Sequence, residues 1–231
     1  MSADVAALER TAQGSNRAYI TLTAVTRVLA AHAKLYRRRA PVYQTVMLQD
    51  LATLWRAHHP TLLDLGGGTG VMAEAIKTLL PVDHVTSVDV TDRFVRSLTV
   101  KTMVYDGRSL PFASGSFDAA TINNVLHHVP ATDRAGLMTE LCPVVKGPIY
   151  IKDHIASSQL DHWRLKLLDA VGNIPFGGQV RAEYLPLEAW HSLAASVGRH
   201  LSVQSGSAYR SGVMAGLFPN RLEAVFRLDP Q

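Results

Sequence analysis

Polar side chains recur where the short apolar runs of this chain stop. Asp64 lies in Thr61-Leu62-Leu63-Asp64-Leu65, directly before Gly66-Gly67-Gly68-Thr69-Gly70. Asp89 closes a run that starts at Val85, and Asp106 follows Met103-Val104-Tyr105. Asn123 and Asn124 follow Phe117 to Ile122, and Asp153 and His154 follow Ile149 to Lys152. Carboxylates and amides in such places can hold the hydroxyls and amines of a nucleoside-like ligand. Glycines let a backbone turn sharply after a strand and come close to that ligand. The residues after them, Val71 to Leu80, read as a helix, whose first turn offers unpaired N–H groups and the positive end of its dipole. Gly66-x-Gly68-x-Gly70 has neither the dinucleotide spacing nor the lysine of a phosphate loop. The glycines alone therefore leave a mononucleotide, a flavin or NAD open. Asp89 stands about 20 residues further on, where an acceptor for a ribose diol is expected.

The elements needed to gather these residues can be read from the same sequence. Val85 to Val90, Met103 to Tyr105, Phe117 to Ile122 and Ile149 to Lys152 read as strands after a first one at Leu62 to Leu65. Arg93 to Leu98 reads as a short helix or turn, and Leu137 to Leu141 as part of a helix ending near Pro143. Leu160 to Val171 and Pro186 to Val197 read as helices separated by a loop at Gly172 to Gly178, with late strands near Leu201 to Val203 and Ala224 to Leu228. Strands alternating with helices predict an α/β fold with a largely parallel sheet. Ligands of such sheets bind beyond the carboxyl ends of the strands, where the polar residues fall. Before them, Ala3 to Ala57 reads as helical, broken at Gly14-Ser15-Asn16 and again at Pro41. The expected organisation is a helical extension or lid over residues 1–57 and a ligand-binding domain over 58–231.

Composition narrows the function classes. With 23 basic and 19 acidic residues the formal charge is only +4, and Arg37-Arg38-Arg39 is the one dense basic run, so a nucleic-acid substrate is not expected. The single cysteine, Cys142, excludes an intramolecular disulfide and fits a reducing compartment. No apolar run approaches the roughly 18 residues of a membrane span, and Met1 to Arg10 lacks an apolar signal core, so a soluble cytoplasmic protein is expected.

Taken in order, LLDLGGGTG, SVDV and YDGRSLPFASGSFDAATINNVLHHVP resemble the successive motifs of class I S-adenosylmethionine-dependent methyltransferases, closest to the small-molecule, methyltransferase type 11-like branch. The resemblance covers Thr61 to His154 well and the rest in layout. It implies a Rossmann-like seven-stranded sheet, mostly parallel and flanked by helices, whose last strand is antiparallel. It also implies S-adenosylmethionine as cofactor and S-adenosylhomocysteine as product. Gly66, Gly68 and Gly70 would line the methionine portion, with Asp64 steadying the loop or meeting the amino group. Asp89 would hold the ribose hydroxyls, and Asp106, beside Gly107, the adenine amino group. Val90 and Leu110 would give apolar contact to adenine, and Asn123 would face the methionine end or the substrate.

Methyl transfer needs alignment and exclusion of water, with a base only if the acceptor must lose a proton. His154, beside Asp153, is the first candidate for that base, and His128 the second. His127 is expected in a packed or capping role, or near the substrate. Residues near 155–190 resemble the insertion that shapes acceptor pockets, and His162, Trp163, Asn173, Phe176, Arg181 and Tyr184 could meet a planar or carboxylated acceptor. Tyr19 and Tyr36 would join them if the N-terminal helices close over the site. No metal is expected: carboxylates are not clustered as magnesium requires, and the pairs His58-His59 and His127-His128 lack zinc-site spacing. The expected activity is methylation of a small organic molecule at oxygen or carbon, in secondary metabolism. Alternatives are N-methylation, a non-methylating cyclase-like reaction, and a non-catalytic cofactor-binding regulatory partner. A homodimer through the apolar N-terminal helices is also expected.

Overall fold

The apolar run before the glycines becomes an inner strand of a seven-stranded sheet. A computed structural model describes residues 19–173 and 182–231 of the chain, without the side chains of 171–173. In chain order the strands are β1 (His59–Leu65), β2 (Val82–Asp89), β3 (Lys101–Val104), β4 (Ala119–Asn123), β5 (Ile149–His154), β6 (Arg199–Ser205) and β7 (Glu223–Pro230). They lie in the order β3-β2-β1-β4-β5-β7-β6. β1 to β5 pair in parallel, and β7 runs antiparallel to both β5 and β6 between them.

Alternate side chains of these strands feed two cores, because successive residues of a strand point to opposite faces. Leu63, Leu65, Ile122, Ile149, Ile151 and Phe226 face one side, where they meet α4 (Ala131–Val144) and α6 (Leu187–Ser196) through Leu141 and Trp190. Leu62, Ala119, Tyr150 and Val225 face the other. There they meet Leu29 of α1 (Leu22–His32), Leu51 of α2 (Val42–Leu54) and Ile76 of α3 (Val71–Leu79). The N-terminal helices therefore cover one face of the sheet. α5 (Gln159–Asn173) follows β5, and α7 (Gly212–Leu217) precedes β7.

α4 ends at Val144, one residue past Pro143, close to where the sequence places its end. Of the short helix or turn expected at Arg93 to Leu98, the structure has the turn; the segment crosses the glycine turn, where the Val95 amide donates to the Thr69 carbonyl at 3.1 Å. α7 has no buried residue, so no apolar period announces it. The glycine break at 14–16, Phe176 and Arg181 lie outside the described residues, as does the side chain of Asn173. No described helix is long and apolar enough to cross a membrane.

Candidate active site

Three of the glycines at the tip of β1 have positive φ: Gly66 at 75°, Gly68 at 59° and Gly70 at 77°. Their surroundings differ. A Cβ on Gly66 would lie 2.4 Å from Val125 Cγ2, and one on Gly70 2.5 Å from Leu98 Cδ1. At Gly68 nothing lies within 4 Å, so the backbone there faces open space. Below the turn, Asp64 is buried and accepts from Ser87 Oγ at 2.8 Å, Thr121 Oγ1 at 2.9 Å and Asn123 Nδ2 at 3.5 Å. Burial raises its pKa despite these bonds. It thereby ties the tips of β1, β2 and β4 together. Asn123 Oδ1, also buried, has no hydrogen-bond partner among the described residues.

The acids at the next two tips share a neighbourhood. Asp89 is buried; Oδ2 accepts from the Gly68 amide at 2.8 Å and Oδ1 from the Thr91 amide at 3.0 Å. A carboxylate has about four lone-pair sites, so both oxygens can still accept from a ligand. Asp106 is exposed and caps its own turn, accepting from the amides of Arg108 and Ser109, each at 2.8 Å. Those amides hold its carboxyl below the usual range. Burial, with the charges of Asp89 and Asp106, pushes the Tyr105 phenol up to about 12, so both acids act on one residue. Val90 is half exposed and lies against Gly107, whose added Cβ would stand 3.0 Å from Val90 Cγ1. Leu110 lies deeper, packed into the core beneath.

Beyond β4 and β5 lies a dense buried polar cluster. Asp153 and His154, as adjacent residues of β5, start on opposite faces of the strand. Asp153 Oδ1 meets His127 Nδ1 at 2.5 Å, whereas His154 Nδ1 stands 3.7 Å from it. His154 Nε2 instead faces Glu223 Oε2 at 3.2 Å, and its Nδ1 has no hydrogen-bond partner. Glu223 also takes Lys152 Nζ at 2.5 Å and the Arg210 guanidinium. Burial raises the Glu223 pKa, but Lys152, His154 and Arg210 outweigh it and hold the carboxyl well below the usual range. Burial likewise raises Asp153, and His127 and His154 outweigh it. Burial lowers His127, yet Asp153 and Asp169 push it up to about 9. His128 Nε2 lies 3.6 Å from Asp169 Oδ2.

Tyr184 stacks on the His127 ring at 5.0 Å and joins the cluster, with His162 further out at 6.1 Å from Tyr184. Tyr184, His162 and Arg134 also line a cavity of about 650 Å³ bordered by α4, α5 and α6. Trp163, at 61% exposed, is directed to solvent, and Tyr19 is similarly exposed at 73%. Tyr36 is buried in the core built by the N-terminal helices, its hydroxyl accepting from Gln44 Nε2 at 3.1 Å. Among the described residues, the bonds and ring contacts of the polar cluster do not include Trp163, Tyr19 or Tyr36. The structure adds residues that the sequence did not single out: Tyr43 from α2, Asp169 from α5, and Tyr209, Arg210 and Glu223 before and at the start of β7. Asn124 carries the Tyr43 contact, its Nδ2 lying 2.8 Å from the hydroxyl. Asn124 also sits at φ 55°, a conformation uncommon outside glycine and frequent at functional sites. Only Asn124 had a sequence signal, its place at a strand tip.

Residues 63–147 match a family described as a methyltransferase domain. No curated protein matches the chain. Among solved structures, the chain is similar to one from the complex between the Haloferax volcanii Trm112 methyltransferase activator and a methyltransferase. There the TM-score is 0.65 at 13% identity, covering 88% of this chain and 94% of that one. It is similar to an S-adenosylmethionine-dependent methyltransferase from Thermotoga maritima, with TM-score 0.59, 16% identity and coverage of 89% and 99%. It is also similar to magnesium protoporphyrin IX methyltransferase from Synechocystis PCC 6803 with bound S-adenosylhomocysteine, with TM-score 0.58, 13% identity and coverage of 86% and 88%. The strand order, the antiparallel β7 and these likenesses together give the chain the class I S-adenosylmethionine-dependent methyltransferase fold.

Proposed function

We propose that this chain methylates a small organic molecule at an oxygen or carbon nucleophile, with S-adenosylmethionine as donor. The observation that carries the reading is the open face of Gly68 at positive φ, with Asp89 bonded to its amide and the unpartnered Asn123 amide oxygen nearby on β4. That surface fits a nucleoside with an amino-acid tail: the ribose on Asp89, the adenine between Val90 and Asp106, the methionine portion along Gly66 to Gly70 and Asn123. When bound, the cofactor supplies a methyl group already activated on a sulfonium.

The residues of the chain then orient the acceptor and exclude water. His154 is the group for a proton of the acceptor. Glu223 holds its Nε2, leaving the Nδ1 lone pair for the acceptor, so Glu223 is the orienting carboxylate. Residues 155–190 supply Tyr184 and His162 to the acceptor side, and residues 1–57 supply Tyr43. Secondary metabolism remains the biological setting we favour for such an acceptor.

Calorimetry with S-adenosylhomocysteine tests the cofactor site. Asp89→Ala is expected to weaken binding by about 1–3 kcal/mol, because ribose hydroxyls lose a charged acceptor. An unchanged affinity in the folded variant removes Asp89 from the site. Incubation with methyl-tritiated cofactor and a metabolite extract tests the reaction: label is expected in a small molecule, at a rate cut by His154→Gln with cofactor affinity unchanged. Binding without any transfer would favour a regulatory or non-methylating role instead.

A further inference from the structure

His127 and His128 are neighbours in the single 3-10 turn after β4, and both rings converge on one carboxylate of α5. His127 Nε2 lies 3.6 Å from Asp169 Oδ1, and His128 Nε2 lies 3.6 Å from Asp169 Oδ2. One ligand atom from each of the three residues falls within 4.8 Å of the others. These N···O separations exceed hydrogen-bond length. They match the edge between two donors that each stand about 2.1 Å from a shared ion at roughly 110–120°.

A second observation points the same way. The His127 side chain is only 1% exposed, yet its Nε2 has no hydrogen-bond partner. Its other nitrogen is committed, with Nδ1 against Asp153 Oδ1 at 2.5 Å. When an ion takes the place of the Nε2 proton, the hydrogen stays on Nδ1 and the Nε2 lone pair faces Asp169. A carboxylate behind an imidazole is the recurring support of a metal-bound histidine, fixing its tautomer and ring orientation. The same distances argue against the neighbouring trio His127, Asp153 and His154 as the ligand set. Donors only 2.5 Å apart would subtend only about 70° at an ion roughly 2.1 Å away, which is too acute for separate ligands.

We propose that His127, His128 and Asp169 bind one divalent transition-metal ion, with Asp153 as the positioning carboxylate of His127. Two imidazoles and one carboxylate suit zinc or ferrous iron, whereas magnesium and calcium take oxygen donors. Three protein ligands leave at least one coordination position for water or an oxygen of a bound molecule. That this molecule is the methyl acceptor rests on the methylation reading; the metal site does not. The sequence concealed it because the ligands come from two elements, and two adjacent histidines have no zinc-site spacing of their own.

The test uses the untagged full chain, stripped with chelator and titrated with zinc chloride by calorimetry, with zinc content measured after desalting. About one zinc per chain is expected. Asp169→Asn and His128→Gln should each weaken binding at least about 10-fold, while His191→Ala, exposed on α6, should bind as the parent does. Cobalt(II) added to the stripped parent should give the visible bands of a nitrogen-ligated, low-coordinate site, a readout that needs no variant. Failure of the parent to retain zinc and to give those bands overturns the site. So does equal zinc affinity in folded Asp169→Asn and His128→Gln. S-adenosylhomocysteine titrated into the same samples separates the two readings: zinc without cofactor binding keeps the metal and removes the methylation assignment, and cofactor without zinc does the reverse.

Discussion

Adjacent glycines in the turn after β1 have different physical reasons to lack a side chain. A Cβ on Gly67 would stand 1.7 Å from Ser87 Oγ and 2.7 Å from Asp64 Oδ2, inside the joint that holds three strand tips. Gly68 has no such neighbour: its constraint is the φ of 59°, and its face is open. Gly67→Ala is therefore expected to lose about 1–3 kcal/mol or more in urea denaturation, from overpacking. Gly68→Ala should lose about 1–2 kcal/mol for a left-handed alanine, stay folded, and lose most of its affinity for S-adenosylhomocysteine in calorimetry. Normal affinity in Gly68→Ala would show that the ligand does not approach there. The glycine cluster was legible as a sharp turn. Which glycine is packed against the protein and which faces open space depended on Ser87 and Val125, side chains from later segments.

Among the elements, α3 shows how a recognisable helix acquires an anchor that no local pattern reveals. Its span follows from the apolar spacing between Val71 and Leu79, but it opens at Gly70 with no side-chain cap. Glu74 in its first turn instead accepts from Thr99 Oγ1 at 2.6 Å, the Thr99 amide at 2.7 Å and the Val100 amide at 3.1 Å. This joins α3 to the chain entering β3. Burial raises the Glu74 pKa, but these bonds outweigh it and leave the group below its ordinary 4.5. A depressed folded pKa stabilises the protein fully above the unfolded value, and that contribution is lost as pH falls through the folded one. Glu74→Gln should cost about 1.5–3 kcal/mol near neutral pH, and the gap to the parent should narrow in urea melts at about pH 3. A gap of equal size at both pH values would exclude ionisation of Glu74 as its source. The element scale also explains Asp153 and His154. Strand alternation sends Asp153 to the side of Ile149 and Ile151, and His154 to that of Lys152, where Glu223 meets it.

For the molecule as a whole, the decisive event is the return of β7 between β5 and β6. It sets Glu223 opposite His154 in the sheet and brings its carboxylate to Lys152 and Arg210 in the interior. Lys152 is 1% exposed, so its charge depends on that carboxylate. Glu223→Ala should cost about 3–5 kcal/mol, the penalty of a buried charge left without its partner. The paired change Lys152→Met with Glu223→Leu should restore part of that loss in the same denaturation measurement. A Glu223→Ala protein as stable as the parent would mean that water or another carboxylate serves Lys152.

The sequence by itself determined the alternation of strands and helices, the glycine turn and the acids at the strand tips. Each is a local property: apolar period, backbone permissiveness, or a polar residue ending an apolar run. Only the tertiary structure decided that His127 pairs with Asp153, that His154 turns to Glu223, and that Tyr43 and Asp169 join them. Those contacts link residues from separate segments of the chain, and sheet order and side-chain facing bring them together. Neither leaves a period or spacing in the linear chain for the reader to find.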